Sequence, residues 1–305
     1  MKILFFGWDP SIVPVSRTVD YMGDCVYHGL KSLLGTDVHT RYDQFHMYTD
    51  IPEGYANNFH GKGFTLCGNL SPALRNTVDQ PYMIDNLKQK VYDYVIFSRI
   101  YRSTRHYDEV CKYYDDNEII IIDGHDVPDI EEDYRKHIYF KRELQEEITK
   151  TLLPISFSIP EEKLVPSDLT TIKEKELGQV VPGQQDTYTF TSEKEYYKDY
   201  EKSLYGITHK KGGWDCMRHL EIMANKCVPF FPGNEECPPH TMVDYPKSLI
   251  FEATQRVQNK TMTQELYEEY CDKMYNHVRE NQTTVAQAKE LIKIIKRTRE
   301  KWQTQ

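Results

Sequence analysis

Residues 118–126 read EIIIIDGHD, so four consecutive isoleucines run directly into an acidic turn that contains glycine. A short run that is apolar on both faces is typical of a strand in a parallel sheet whose two sides are covered by helices. Similar runs, KILFFG at 2–7 and YDYVIFSRI at 92–100, alternate with helix-like stretches along the first half of the chain. The pattern predicts a doubly wound α/β domain.

The polar residues that follow these strands are candidates for a ligand site. In doubly wound sheets, ligands bind outside the carboxyl ends of the strands. Three turns are therefore expected along one rim: residues 7–9, 98–100 and 123–126. The arginines Arg99, Arg102 and Arg105 either contact a phosphate at this rim or form the solvated face of a following helix.

The composition favours two domains. A chain of 305 residues exceeds what one hydrophobic core usually fills. Hydrophobic residues make up 39% and charged residues 28%, as in globular proteins, and no stretch approaches the roughly 20 apolar residues of a membrane span. The net charge of -9 argues against a nucleic-acid surface but allows a local basic pocket for a phosphorylated ligand.

The compartment is predicted from the cysteines and the N-terminus. Seven cysteines include no Cys-x-x-Cys pair, which favours reduced thiols over a disulfide framework or a zinc site. The apolar run in MKILFFGWDP is too short for a secretory signal. We therefore expect a cytoplasmic location.

Prolines mark the expected domain edge. Pro154, Pro160 and Pro166 interrupt regular structure and indicate a boundary near residue 155. The predicted units are an N-terminal α/β domain at 1–155, a C-terminal α/β domain at 156–283 and a closing amphipathic helix at 284–305.

Helix caps are predicted at three places. Thr191 or Ser192 is expected to cap a helix in TSEKEYYKDYEKS. Asp215 is expected to cap DCMRHLEIMANK. Thr284 and Gln287 form the expected capping box of the closing helix.

One segment of the second half, residues 205–231, is dense in functional residue types: YGITHKKGGWDCMRHLEIMANKCVPFF. It reads as strand, tight turn, helix and strand. Gly212 and Gly213 allow the backbone to approach a ligand, and a helix N-terminus favours an anion such as a diphosphate. Lys210 or Lys211 adds a positive charge.

Arg218 and Glu221 lie three residues apart on the predicted helix, so their side chains share one face. They could act at one site, where the carboxylate would accept the hydroxyl hydrogens of a ribose. An ordinary surface ion pair has the same spacing. Spacing alone leaves both interpretations open.

The segment resembles the donor-sugar half of GT-B glycosyltransferases, in particular the exostosin-like group. That pattern is an arginine, two residues, a glutamate, five residues and then Cys-Ile/Val-Pro. Here Arg218, Glu221 and residues 227–229, Cys-Val-Pro, stand in this register without a gap. The specific likeness covers about residues 200–250, and elsewhere it is one of architecture.

The resemblance implies a fold and a set of roles. The fold would be two Rossmann-like doubly wound domains that face a cleft, with a C-terminal helix that crosses back to the first domain. Glu221 would bind the ribose of a nucleotide-sugar, Arg218 and a lysine of HKKGG would meet the diphosphate, and the loop at 233–242 would border the sugar. Many retaining GT-B enzymes have a glutamate where this chain has Gly213, which favours an inverting reaction.

An inverting transfer needs a base on the acceptor side and positive groups around the leaving diphosphate. The base candidates are Asp9, which we favour, and Asp123, His125 and Asp126. The sequence lacks the Asp-x-Asp motif of metal-dependent GT-A enzymes, so no cofactor or divalent metal is expected. The predicted activity is sugar transfer from a nucleotide-sugar to a hydroxyl of a glycan or glycoconjugate.

Two other interpretations remain open. The chain could be a non-catalytic protein of the same fold that binds sugar nucleotides or glycans. It could also be a metal-dependent enzyme that uses Asp123 and Asp126, in which case a chelator would abolish its activity.

Overall fold

A computed structural model describes residues 1–12, 19–169 and 172–303. In these ranges the chain forms nine strands and eight α-helices. The strands are β1 Ile3–Phe6, β2 Val38–Thr40, β3 Tyr94–Phe97, β4 Ile119–Asp123, β5 Ile138–Lys141, β6 Leu152–Pro154, β7 Lys175–Leu177, β8 Ser203–Ile207 and β9 Val228–Phe230. The helices are α1 Tyr21–Leu34, α2 Gln80–Lys88, α3 Tyr107–Cys111, α4 Glu193–Glu201, α5 Met217–Ala224, α6 Lys247–Gln258, α7 Gln264–Asn281 and α8 Thr284–Gln303.

The description stops two residues short of the end of the chain. Residues 304 and 305, the end of the predicted closing helix, lie outside the described residues. Over the part of the chain that is described, none of the helices has both the length and the apolar character needed to cross a membrane.

The first six strands form one parallel sheet in the order β2-β1-β3-β4-β5-β6. The isoleucine run forms β4, near the middle of this sheet, and all of its residues are buried. Buried side chains on both faces of β4 belong to two different hydrophobic clusters, with Ile120 and Ile122 on one side and Ile119 and Ile121 on the other. The apolar run therefore correctly predicted a strand covered on both sides.

The second half of the chain forms a smaller parallel sheet in the order β7-β8-β9. The predicted α/β fold class is confirmed, since both sheets are parallel and accompanied by helices. The second sheet has only three short strands, fewer than the first. The two-domain arrangement of GT-B enzymes stays a prediction.

The two sheets share one hydrophobic core. A single buried cluster contains Ile122 of β4, Phe157 after β6, Met217 of α5 and Tyr267 of α7. The proposed boundary near residue 155 falls between the end of β6 and the start of β7. It stays a prediction because the core is continuous across it.

Helix α8 returns to the first half and packs against α1. The Nδ1 atom of His28 lies 2.8 Å from the Thr284 hydroxyl at the start of α8. Gly29 of α1 faces the Thr284 carbonyl so closely that a Cβ at this position would overlap it. The absence of a side chain at residue 29 therefore allows this helix contact.

The starts of α4 and α8 differ in how well their predicted caps agree with the structure. Ser192 caps α4 as predicted, because its hydroxyl accepts a backbone N–H of the first turn. The capping box of Thr284 and Gln287 is wrong. Instead the Thr283 hydroxyl accepts the backbone N–H of Ala286 at 3.2 Å, while the hydroxyl of Thr284 and the amide of Gln287 bond to other segments of the chain.

The helix contact at Gly29 yields a stability prediction. The variant Gly29→Ala should lose about 1–3 kcal/mol of unfolding free energy, because the added methyl group meets backbone that cannot move away cheaply. Urea unfolding followed by circular dichroism measures this loss. Ser32→Ala, on the exposed side of the same helix, should change stability by less than about 0.5 kcal/mol. Equal effects of the two variants would contradict the close contact.

Candidate functional site

The rims of the two sheets meet at Gly212 and Gly213. A Cβ at Gly212 would lie 2.7 Å from Oδ2 of Asp126, in the turn after β4. A Cβ at Gly213 would overlap the carboxylate of Glu143, which follows β5. At Gly213 the buried Glu143 leaves no room for a side chain, whereas at Gly212 the contact is with the end of an exposed, flexible side chain. The structure thus brings Asp126 together with the predicted nucleotide-sugar loop.

The carboxylate of Glu143 holds the turn between β8 and α5. Its Oε2 atom accepts the backbone N–H of Trp214 at 2.9 Å, and its Oε1 atom accepts that of Asp215 at 3.0 Å. The Glu143 side chain is buried. The N–H groups nearest Gly213 thus bind an anion, but the anion is a carboxylate of the protein itself.

Arg142, which follows β5, connects the turn that contains Asp126 to the turn before α5. Its Nη1 donates to the carbonyl of Asp215 at 2.6 Å, and its Nη2 donates to the Asp126 carboxylate. The guanidinium also lies 4.6 Å from the centre of the Phe157 ring. All of its long-range partners belong to the sheet rims, so Arg142 positions the turn at Asp126 against the loop before α5.

Asp215 does not cap α5, so that prediction is wrong. Helix α5 begins at Met217, after Cys216, and no side chain caps it. The Asp215 carboxylate instead accepts the backbone N–H of Phe157 and the hydroxyl of Tyr245, each at 2.7 Å. Burial raises the pKa of Asp215 to about 7, although the nearby Arg142 guanidinium acts in the opposite direction.

Arg218 is a buried cation with few partners. Its side chain is 7% exposed. Nη2 donates to the Tyr188 hydroxyl at 3.0 Å, whereas Nε and Nη1 have no hydrogen-bond partner among the described residues. The guanidinium of Arg218 lies 5.6 Å and the ammonium of Lys211 lies 5.7 Å from the centre of the Tyr188 ring. Two cations thus converge on one partly buried tyrosine.

Lys210 and Lys211 are exposed at the same turn. The ammonium of Lys210 lies 5.0 Å from the centre of the Trp214 ring. Each lysine therefore has an aromatic neighbour that fixes it only weakly.

Glu221 is 6% exposed and its carboxylate is engaged. Oε1 accepts the Thr65 hydroxyl and Oε2 accepts the Tyr196 hydroxyl at 2.6 Å. Burial raises the pKa of Glu221. In the described contacts Glu221 makes no direct ion pair with Arg218, although the Arg218 charge acts against the rise in the pKa of Glu221.

The base candidates at the end of β4 differ in exposure and in whether the side chain is already paired. The Asp123 carboxylate is buried and accepts the hydroxyl of Tyr139, the ammonium of Lys141 at 2.9 Å and the backbone N–H of His125. Asp126 is 61% exposed but pairs with Arg142. The His125 ring is exposed at the rim and stacks on Tyr101, with 5.1 Å between ring centres. Of the three residues, His125 alone presents an exposed side chain that is not in an ion pair.

Asp9 lies at the ends of β1 and β3. Its Oδ1 accepts the backbone N–H of Ser11 at 2.9 Å, and its Oδ2 lies 3.7 Å from Nη1 of Arg105. It borders a small cavity together with Tyr42 and His106. No contact among the described residues joins Asp9 to the loop of Gly212.

Arg99 forms ion pairs within the first half of the chain. It is buried and forms ion pairs with Asp20 at 3.4 Å and Asp24 at 3.7 Å, at the start of α1. The interpretation of Arg99 as part of a solvated helix face is therefore wrong, and its role as a phosphate ligand stays a prediction. Arg102 is exposed over the ring of Tyr101, on the same part of the rim as His125.

Sequence reasoning missed Arg142 and Glu143. They directly follow the buried strand β5, so the rule applied to the turns after β1, β3 and β4 would also have selected them. Their partners lie about 70 residues away in the sequence. No local pattern reveals that pairing.

Comparisons with protein-family models, with curated proteins and with solved structures find no match to this chain. Within the described ranges, no cluster of three or more His, Cys, Asp or Glu side chains is arranged to hold a metal ion.

The pKa of Asp215 predicts a pH dependence of stability. Its pKa in the folded chain is about 7 against an ordinary value of 3.8, so between these values the folded chain keeps a proton that the unfolded chain loses. The free energy of unfolding should therefore fall as pH rises from about 4 to 7, by up to about 4 kcal/mol. Urea midpoints across this range measure the fall.

Asp215→Asn should remove most of this pH dependence, because the amide does not titrate. Asp272→Asn, at an exposed position on α7, serves as the matched control and should leave the slope unchanged. An unchanged slope in Asp215→Asn would show that other groups cause the dependence.

Proposed function

We propose that this protein is a glycosyltransferase that moves a sugar from a nucleotide-sugar donor to a hydroxyl of a glycan or glycoconjugate. The proposed reaction is inverting and independent of a divalent metal. The observation that carries the proposal is the buried guanidinium of Arg218, whose Nε and Nη1 have no partner in the described part of the chain.

A buried charge with few partners is costly, so it calls for a counter-charge. Arginine presents a planar fork of donors that fits phosphate oxygens. Here three tyrosines, Tyr188, Tyr196 and Tyr200, act on the guanidinium together with Cys216 and Glu221, and Lys211 adds a second cation across Tyr188. An anionic group with several oxygens, such as a diphosphate, would satisfy these donors.

The position of Arg218 in the fold supports binding of a nucleotide-sugar. It follows β8 on α5, in the Arg-x-x-Glu register that resembles exostosin-like enzymes. The rim of the first sheet, with Asp126, lies against Gly212 two residues before Trp214. A sugar attached to the diphosphate would therefore extend towards groups from both sheets.

The same cations would stabilise the leaving group. As the bond between sugar and diphosphate breaks, negative charge grows on the diphosphate oxygens, and fixed donors stabilise that charge. Arg218, Lys210 and Lys211 would supply the positive charge that a divalent ion supplies in many other transferases. This is the basis for proposing a metal-independent reaction.

We assign the acceptor base to His125 rather than to Asp9. Its exposed imidazole lies next to Asp126, which touches the Gly212 loop. Histidine is the side chain that most often takes a proton from a hydroxyl in enzymes. Asp9 is buried and lies beside Arg105.

A non-catalytic sugar-nucleotide or glycan-binding protein is the second candidate. The observation in its favour is that two of the base candidates, Asp123 and Asp126, are already paired with cations. Such a protein would bind the donor at Arg218 without releasing free nucleotide.

Nucleotide binding at Arg218 can be tested by thermal shift. UDP, GDP, TDP, ADP and CMP are added separately, each with magnesium and with EDTA. Ligand at about 100 times its dissociation constant adds about 2.7 kcal/mol of stability, so one nucleotide should raise the melting temperature by several degrees. The shift should be equal in EDTA.

Arg218→Met should weaken that nucleotide about 10- to 100-fold, because charge-assisted hydrogen bonds are lost. Arg297→Met changes an exposed arginine of α8 and is the matched control. Equal nucleotide affinity in both variants would contradict the site, and a shift seen only with magnesium would contradict metal independence.

Catalysis is tested by release of nucleoside diphosphate from sugar conjugates of the nucleotide that binds, with simple sugars as acceptors. His125→Ala should slow release about 10²- to 10⁴-fold and leave nucleotide affinity unchanged, because only proton transfer is affected. Asp9→Asn should have a small effect. The opposite ranking would assign the base to Asp9, and no release by the unaltered protein would favour the non-catalytic candidate.

A further inference from the structure

A second candidate site lies away from Arg218, where α7 ends and α8 begins. A cavity of about 560 Å³ opens there against the segment that follows β6. This volume falls within the range of small-molecule sites. Its lining combines apolar side chains, such as Phe157 and Val285, with amide and charged groups.

Gln282 is the most informative group in the lining. Its backbone is fixed, since its N–H donates to the carbonyl of Val278 and its carbonyl accepts the N–H of Ile159, each at 2.9 Å. Its side chain is 1% exposed, yet among the described residues neither Oε1 nor Nε2 has a hydrogen-bond partner. Buried amides are almost always bonded, so an unbonded one beside a cavity indicates a missing partner.

Gln287 lines the same cavity, but its side-chain amide is hydrogen-bonded. Its Oε1 accepts the Ser158 hydroxyl at 2.9 Å, and its Nε2 donates to the carbonyl of Ser156. The Gln287 amide is therefore part of the framework. The Gln282 amide has both an unbonded donor and an unbonded acceptor among the described residues.

The charges of the lining restrict the ligand. Four acidic residues and two basic residues border the cavity: Glu161, Asp244, Glu280, Glu290, Arg279 and Lys289. An acidic surplus disfavours phosphates and other anions. Carboxylates and an amide instead suit hydroxyl groups, which both donate and accept, and the apolar side chains suit the C–H faces of a sugar ring.

We propose that this cavity binds an uncharged glycan segment, with the Gln282 amide bonded to sugar hydroxyls. The site is separate from the proposed nucleotide site, and its existence does not depend on that function. One of its walls nevertheless continues to the rim, because the N–H of Phe157 donates to the Asp215 carboxylate.

The test is isothermal titration of the full chain with cellobiose, lactose and maltotriose. At least one should bind the unaltered protein with a dissociation constant below about 10 mM, and Gln282→Met should weaken it at least about tenfold. Gln264→Met, near the start of α7 and outside the lining, should bind like the unaltered protein. UDP serves as the anionic probe, and its affinity should be the same in all three proteins.

Stability gives an independent readout. Gln282→Met should not lower the melting temperature, because an unbonded buried amide is replaced by an apolar side chain of similar shape. Gln287→Met should lower it, because that amide is bonded.

Three results would overturn the proposal. They are the absence of binding by all three sugars, equal binding by Gln282→Met, and a loss of stability in Gln282→Met as large as that in Gln287→Met. Failure of UDP to bind would affect only the proposed nucleotide site.

Discussion

The carboxylate of Glu143 fixes the relation between the two sheets. It extends from the end of β5 and accepts two successive backbone N–H groups, of Trp214 and Asp215, in the turn before α5. Hydrogen bonds to a charged group contribute about 1.5–3 kcal/mol each, and separation of the rims would leave a buried carboxylate unpaired. The turn is therefore held in one position, and Gly213 is required because any side chain there would overlap Glu143.

Two buried arginines on either side of this turn, Arg142 and Arg218, differ in their hydrogen-bond partners. Arg142 donates to the Asp126 carboxylate and the Asp215 carbonyl, and its guanidinium lies over an aromatic ring. Arg218 has one hydroxyl partner and two unbonded nitrogens within the described structure. Arg142 thus has a carboxylate and a carbonyl partner and leaves only its Nε unbonded among the described residues, whereas Arg218 has a single hydroxyl partner and leaves Nε and Nη1 unbonded.

Local patterns predicted several strands, among them β1, β3 and β4, and several helices, among them α4 and α8. The isoleucine run at β4 and the cap at Ser192 depend only on neighbouring residues, and both are confirmed. The cap at Asp215 failed because a long-range bond to Tyr245 competes for its carboxylate. Arg99 likewise forms ion pairs with Asp20 and Asp24 at the start of α1. Polar groups of the candidate site are decided by partners far along the chain, which composition and spacing do not reveal.

Thr65 connects the first half of the chain to Glu221. It is buried and adopts φ +75°, a left-handed conformation that is unfavourable for a β-branched residue and costs about 1–3 kcal/mol. In this conformation its hydroxyl donates to Oε1 of Glu221, while Tyr196 donates to Oε2. Under the proposed function, ribose hydroxyls would take the places of these two donors.

Such an exchange would keep the carboxylate of Glu221 satisfied before and after binding, because one set of hydroxyl donors replaces another. It would also release one bond of Thr65, which belongs to the segment between β2 and α2 of the first half. Thr65 would stay attached to α4, because its backbone N–H donates to Glu193 and its hydroxyl lies 2.7 Å from that of Tyr197. Entry of the donor would in this way exchange one contact between segments of the two halves, while the Glu143 contact holds the rest of the rim in place.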